Sequence, residues 1–194
     1  MRHITHLMVA LAATTFGLPA SAASISFFTP LGPEAVGATG SGSARVVFDD
    51  VALTMFVEAE FEGLSGTTTV AHIHCCTVVP GAGTIGVATY PATFPGFPVG
   101  VTAGSYSNSF DMSLATSYTA DFVTTFGGGT IPGAFAALIA GLDAGRGYFN
   151  VHSTAFRGGE IRGFLVRVPE PGALALIGLG LVLVAFATRR RRSD

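Results

Sequence analysis

The chain contains no lysine and no tryptophan, and it has only two cysteines among its 194 residues. Between residues 23 and 167, five arginines stand against ten acidic residues, a net charge of −5. The lack of a clustered basic surface excludes nucleic acid as a partner, because phosphate-binding surfaces are built from grouped lysine and arginine. The 26 glycines, together with threonine, valine and phenylalanine, are typical of a turn-rich β domain.

The sequence also lacks the motifs of common catalytic sites. It has no G-x-S-x-G nucleophile elbow, and the glycines at 127–129 are not followed by the residues of a phosphate loop. No catalytic residue can be assigned. The sequence therefore favours a binding or structural protein over an enzyme.

Residues 1–22 have the pattern of a secretory signal peptide. Arg2 provides a basic start, residues 7–18 are a short apolar run, and small residues precede a cleavage site between Ala22 and Ala23. Signal peptidase is the partner that this pattern predicts. An N-terminal membrane anchor is the alternative.

The C-terminal end has three parts. Pro169, Glu170 and Pro171 precede an uncharged apolar segment at 172–188, and a basic tail at 189–194 follows. As a helix, the segment would span about 25 Å, slightly less than the roughly 30 Å hydrocarbon core, and arginine side chains can extend along it to the interface. The basic tail places that end in the cytoplasm and the domain outside. Its arginines are Arg189, Arg190, Arg191 and Arg192.

This end of the chain resembles the PEP-CTERM sorting signal of Gram-negative bacteria. The resemblance implies that an exosortase recognises the tripeptide and removes the apolar segment. The domain would be held briefly at the inner membrane and then reach the cell surface or extracellular matrix, in the context of exopolysaccharide and biofilm. The alternative is an ordinary single-pass anchor.

The most regular strand pattern lies at 51–62, where apolar residues alternate with polar ones over twelve positions. With residues 44–48 and a turn at Asp49 and Asp50, it predicts a hairpin. Glu58, Glu60 and Glu62 fall on the outer face, which we interpret as solvated rather than as a cation site.

The remaining elements are predicted from shorter patterns. Residues 23–42 are expected to be a linker or edge segment, with a short β-like run at 24–28 and a loop rich in proline, glycine, alanine and serine at 29–42. Residues 91–100, with three prolines, are expected to be a loop that either binds a ligand or covers a sheet edge. Further strands are predicted at 67–75, 84–90, 105–114, 147–153 and 160–166, and helices at 117–126 and 133–143.

Three histidines form the candidate site of the mature domain. His72 and His74 alternate with apolar residues, so on a strand they point to one face, and His152 lies on another predicted strand. Imidazole is a good ligand for copper or zinc. Glu160, Cys75 or a water molecule could complete such a site, or Glu160 could orient an imidazole.

Two alternatives to a metal site stay open from the sequence. The histidines could hydrogen-bond across neighbouring strands, or they could occupy unrelated exposed positions. Convergence of the three imidazoles within about 4 Å of one point would favour a metal site.

Cys75 and Cys76 are adjacent in a chain predicted to be exported, so oxidation is expected. Neighbouring Cα atoms are about 3.8 Å apart across a trans peptide, below the roughly 4.4–6.8 Å range of disulfides. A disulfide between them would therefore be a tight turn. Free thiols, metal ligation and intermolecular bridges are the alternatives.

The mature region resembles the CHRD domain, first described in chordin. The matching segments are 70–74, 138–145, 148–153 and 156–165, and the resemblance covers about 43–167. The sequence departs from the common pattern at Cys75, Cys76 and Arg157. The resemblance implies an antiparallel β-sandwich or barrel of immunoglobulin-like or superoxide-dismutase-like kind.

We therefore expect a mainly β domain with one or two short helices, a signal helix before it and a transmembrane helix behind it. The expected domain organisation is a signal peptide at 1–22, a linker at 23–42, the CHRD domain at 43–167 and a sorting signal at 168–194. A polysaccharide or a surface protein is the expected partner. The alternative function is an extracellular domain that binds copper or zinc through His72, His74 and His152 and that could be redox-active.

Overall fold

The computed structural model describes residues 24–90 and 92–169, together with Gly180. The predicted signal peptide with its cleavage site, the apolar segment except Gly180, and the four terminal arginines lie outside this part of the chain. Within the described residues, no helix has the length and apolar character needed to cross a membrane.

Eight strands and two α-helices make up the described chain, with one short 3₁₀ helix (Ala115–Ser117) before the first α-helix. The strands are β1 (Ser24–Pro33), β2 (Ser41–Asp49), β3 (Thr54–Glu62), β4 (Thr68–Cys75), β5 (Gly104–Asp111), β6 (Gly147–Ser153), β7 (Ile161–Phe164) and β8 (Val166–Val168). The helices are α1 (Ala120–Thr125) and α2 (Ile131–Asp143).

The strands form an antiparallel sheet that curls into a half-barrel, in the order β4-β6-β7-β1-β2-β3-β5. Strand β1 belongs to both halves of the curl. Its first part pairs with β8, where Phe28 opposes Val166, and its last part pairs with β7, where Gly32 opposes Arg162. The expectation of a mainly β, antiparallel fold with few helices is confirmed.

Strand β1 includes the β-like run predicted at 24–28 but extends to Pro33, into the part of 23–42 predicted to be a linker or edge segment. It lies in the middle of the sheet, and Phe27 and Leu31 are buried in the core. Pro30 is tolerated because it falls between the two pairings, where β1 has no ladder partner on the side of β7 and β8.

The predicted hairpin is formed by β2 and β3. Met55, Val57, Ala59 and Phe61 are buried, and the three glutamates of β3 are exposed. The strand begins at Thr54 rather than at residue 51, because the Asp49 carboxylate accepts hydrogen bonds from the backbone of Val51 (2.9 Å) and Ala52 (2.7 Å) and holds a turn there. Val51 is consequently exposed.

The segment from 84 to 101 covers the free edge of β4. Its predicted strand at 84–90 makes only isolated bridges, although Ala88 and Phe94 donate backbone hydrogen bonds to β4. Phe94 and Phe97 are buried, and Phe94 packs between the rings of Phe110 (5.4 Å) and Phe149 (5.8 Å). Burying such a side chain contributes about 1.5–3 kcal/mol, so the loop is a cover and part of the core.

Both helices are found near their predicted positions. Helix α2 begins at Ile131, two residues before the predicted start, because Thr130 caps it by accepting a hydrogen bond from the backbone of Gly133. Leu114, the last residue of the strand predicted at 105–114, is 50 % exposed, since β5 ends at Asp111 and the chain turns away before Leu114.

Candidate metal centre

Strands β4 and β6 lie side by side, and their pairing brings the three histidines together. His72 opposes Asn150, and His152 opposes Val70 two residues before His72. The apolar residues between them, such as Ile73 and Val151, fill the core on the opposite face. The face predicted from sequence alternation is thus the face on which His72, His74 and His152 meet.

The imidazole nitrogens converge closely. One ligand atom from each histidine lies within 4.8 Å of those of the other two. The Nε2 atoms of His72 and His152 are 3.0 Å apart. His72 and His74 are buried, at 5 % and 9 % exposure, and His152 is partly exposed. This is the convergence expected of residues that share an ion.

Backbone carbonyls orient two of the three rings. His74 Nδ1 lies 2.7 Å from the carbonyl oxygen of Ile85, and His152 Nδ1 lies 2.7 Å from that of Arg157. A carbonyl oxygen can only accept, so each Nδ1 carries the proton and each Nε2 offers a lone pair. Histidines that bind metals are commonly held by such a hydrogen bond from the other ring nitrogen.

Two polar atoms of this group are buried without a hydrogen-bond partner, His74 Nε2 and His72 Nδ1. The short contact between the Nε2 atoms of His72 and His152 requires a proton on one of them. His72 must donate it, because Nε2 of His152 carries a lone pair and no proton. Histidine pairing therefore satisfies His152 but leaves an acceptor on His74 unsatisfied. Buried polar groups of this kind cost about 1–3 kcal/mol when they have no partner.

Burial keeps the rings of His72 and His74 neutral. It lowers the pKa of His72 to about 3, and the nearby His74 and His152 rings add to the shift. The backbone of Ala92 acts in the opposite direction and raises this pKa, but by less. Burial likewise lowers the pKa of His74. Neutral imidazole is the form that binds a metal ion.

A polar chain that the sequence did not reveal borders the histidines. The Asn150 side-chain amide donates to Glu34 (2.9 Å), and Glu34 forms an ion pair with Arg162 (3.0 Å). The Arg162 guanidinium lies 5.0 Å from the centre of the Tyr148 ring, which in turn stacks on His74 at 4.6 Å. Alternation along β6 places Tyr148 and Asn150 on the His152 face, but Glu34 lies in the segment predicted as a linker.

Glu160 lies outside the histidine group. It is buried, and its carboxylate accepts hydrogen bonds from the backbone of Ser65 and, at 3.4 Å, of Gly66. Burial by itself would raise its pKa, but these bonds and one involving Ser153 outweigh it, so the pKa of Glu160 is lowered. In this position the carboxylate ties the turn after β3 to the start of β7.

Cys75 and Cys76 are joined by a disulfide across a cis peptide, with the sulfur atoms 1.98 Å apart and the Cα atoms 3.1 Å apart. The trans geometry considered from the sequence therefore does not apply. Both sulfurs face helix α2, where a Cβ atom on Gly141 would lie 2.3 Å from each of them. Cys75 has no thiolate to offer to the histidines.

Of the sorting motif, Pro169 is described and directly follows β8, whereas Glu170 and Pro171 lie outside the described residues. The sorting motif and the histidine group lie on different parts of the sheet. The motif follows β8, which pairs with β1, whereas the histidines lie on β4 and β6.

Two family patterns match the chain. The CHRD domain matches residues 27–165, and the PEP-CTERM protein-sorting motif matches residues 167–192. No curated protein and no solved structure matches it. The sorting motif indicates export, anchoring in the membrane before exosortase processing, and then placement at the cell surface. The chain belongs to the CHRD domain family and carries a PEP-CTERM sorting signal behind that domain.

Proposed function

We propose that this surface domain binds one copper or zinc ion through the Nε2 atoms of His72, His74 and His152. The observation that carries the proposal is the lone pair on His74 Nε2, buried without a partner beside two further imidazole nitrogens. An ion would accept all three lone pairs at once. Histidine pairing across the strands, the alternative, joins only His72 and His152 and leaves His74 Nε2 without a partner.

The donor set suits a borderline or soft divalent ion. Three neutral nitrogen ligands are typical of zinc and copper sites, whereas calcium and magnesium prefer oxygen. In a tetrahedral zinc site, ligands about 2.05 Å from the metal are roughly 3.4 Å from each other. The ligand atoms here are within 4.8 Å, so the rings need to move by only about 1 Å.

Binding requires a change of tautomer at one ring. Without an ion, His72 uses its Nε2 proton to bond His152. With an ion, that proton moves to Nδ1, so that Nε2 is free to bind the metal. A fourth position stays open for water or an external ligand, since neither Glu160 nor Cys75 reaches it.

We place this ion-binding domain at the cell surface, in a binding or structural role within an exopolysaccharide matrix. The support is the sorting motif at residues 167–192. Polysaccharide or a surface protein is the partner class that this location favours.

Metal binding by the purified mature protein tests the proposal. Calorimetric titration with Cu²⁺ or Zn²⁺ should give one site, and the Cu²⁺ form should show nitrogen hyperfine structure in its electron paramagnetic resonance spectrum. Replacing all three histidines by glutamine should remove both signals. The matched control is Tyr148→Phe, which keeps the ring stacked on His74 and offers no ligand to lose. Equal binding by the triple variant would refute the proposal.

A further inference from the structure

Strand β8 connects the folded domain to the sorting signal without a linker. The CHRD match ends at residue 165 and the sorting-motif match begins at residue 167, so β8 (Val166–Val168) crosses the boundary. Arg167 and Val168 pair with Phe27 and Ser26 in the sheet and also form the first part of the sorting signal. The same residues cannot be paired in the sheet and bound by a processing enzyme at the same time.

Only a short segment between the folded domain and the apolar segment is available for a protease to bind. Pro169 follows Val168 directly, and the apolar segment begins at Gly172. A fully extended chain spans about 3.3–3.6 Å per residue, so at most about 14 Å separates Val168 from Gly172. An enzyme in the membrane must therefore enclose the tripeptide while a folded domain lies against it. Enzymes that take peptide substrates commonly bind them as extended strands, through backbone hydrogen bonds.

Strand β8 is held to the sheet more weakly than Leu165, the residue directly before it. Its side chains are all exposed, with Val166 at 64 % and Val168 at 42 %. The side chains of the ion pair between Arg167 and Asp143 (2.9 Å) are 53 % and 35 % exposed, and solvent-exposed pairs stabilise little. Leu165, by contrast, is fully buried and donates its backbone N–H to Gly147 (3.0 Å). If the C-terminal end of the domain detached from the sheet, the detached part would therefore extend back only to Val166.

We propose that β8 separates from β1 when the exosortase binds, and that residues 166–168 enter the enzyme as an extended peptide ahead of the tripeptide. Release adds three residues, or roughly 10 Å, to the reach of the motif. The sheet keeps its integrity, because β1 remains paired with β2 and β7. The inference rests on the sorting signal and is independent of metal binding.

A disulfide lock between the two strands tests this. Ser26 and Val168 are directly opposed in an antiparallel pair, where Cα atoms are about 4.5–5.5 Å apart, within the range of a disulfide. The full-length double variant Ser26→Cys/Val168→Cys would be produced in a host that contains the exosortase, with the cross-link verified by mass spectrometry. Processing is followed as the conversion of membrane-held precursor to the shorter product.

The locked protein should be processed at least about tenfold more slowly than either single-cysteine variant, because the competent population is reduced by that factor. Reductant should restore the rate. A six-residue glycine-serine insertion between Val168 and Pro169 should also restore it with the lock intact, since it supplies free chain ahead of the motif. Normal processing of the locked protein would overturn the proposal, and so would a block that persists with the insertion.

Discussion

His74 donates a hydrogen bond of 2.7 Å from Nδ1 to the carbonyl oxygen of Ile85, in the loop that follows its own strand. This bond fixes which nitrogen of His74 is free to bind an ion. It also couples the proposed site to the segment that covers the edge of β4, so an ion would stabilise loop and sheet together. The consequence can be measured as thermal stability.

Saturating Cu²⁺ or Zn²⁺ should raise the melting temperature of the mature domain. A ligand at 100 times its Kd adds about 2.7 kcal/mol to the free energy of unfolding, or roughly 5–10 °C for a domain of this size. Circular dichroism melts provide the measurement. Mg²⁺ should have no effect, and His152→Gln should lose most of the shift. An equal shift in His152→Gln would show that the ion binds elsewhere.

Replacing Gly141 by alanine should destabilise the domain. The new Cβ would lie 2.3 Å from the sulfur atoms of both Cys75 and Cys76, so helix α2 must move away from the disulfide. Overpacking of this kind costs about 1–3 kcal/mol. Urea unfolding measures the change. Gly158→Ala is the matched control, because its Cβ would meet nothing within 4 Å, and it should change stability by less than about 0.5 kcal/mol.

Glu160 should make the free energy of unfolding fall as the pH is lowered below the usual pKa of a glutamate. Its pKa is lowered in the folded protein, despite the opposing effect of burial, by hydrogen bonds involving Ser153 and the backbone of Ser65 and Gly66. A carboxyl group with a lowered pKa contributes stability above its unfolded pKa, near 4.5, and this contribution is lost as pH falls through the folded value.

Glu160→Gln should therefore cost about 1–3 kcal/mol at pH 7, as expected for hydrogen bonds to a charged group, and less at pH 3. Urea unfolding at a series of pH values gives the comparison. The exposed Glu60→Gln variant should follow the wild type at every pH. A constant difference between Glu160→Gln and the wild type across pH would contradict the assignment.

Replacing Pro169, Glu170 and Pro171 together by alanine should leave an uncleaved precursor in the membrane fraction. The tripeptide is the part of the sorting motif that distinguishes it from an ordinary membrane anchor. Immunoblots of membrane and released fractions give the readout. Val36→Ala, in an exposed loop, should be processed normally. Normal processing of the alanine variant would identify the segment as a plain anchor.

The sequence predicted the parts of the fold that depend on local alternation. Strand β6 begins and ends where the pattern predicted, at 147 and 153, and the inward face of β3 was identified from its period of two. The common face of His72 and His74 follows from the same rule. These features are set by side-chain alternation within one strand.

Features that depend on pairing between distant strands were not accessible. Nothing local shows that β4 pairs with β6, about 80 residues later, and this pairing brings His152 to the other two histidines. Only the first half of β1 was predicted, as the β-like run at 24–28, because prolines and glycine mask residues 29–33, whose burial comes from neighbouring strands on both sides. Glu34, and with it the chain to Arg162 and Asn150, was missed for the same reason.

The place of β1 in the sheet also bears on how the protein is exported. The first strand of the domain pairs with the last two, so contacts between residues 24–33 and 161–168 close the fold across almost its whole length. Such long-range closure delays folding until the final strands are available. A chain that crosses a membrane from its N-terminus would therefore remain unfolded, and so able to pass through a translocation channel, until its last strands emerge. It would complete its sheet only when the sorting signal has reached the membrane.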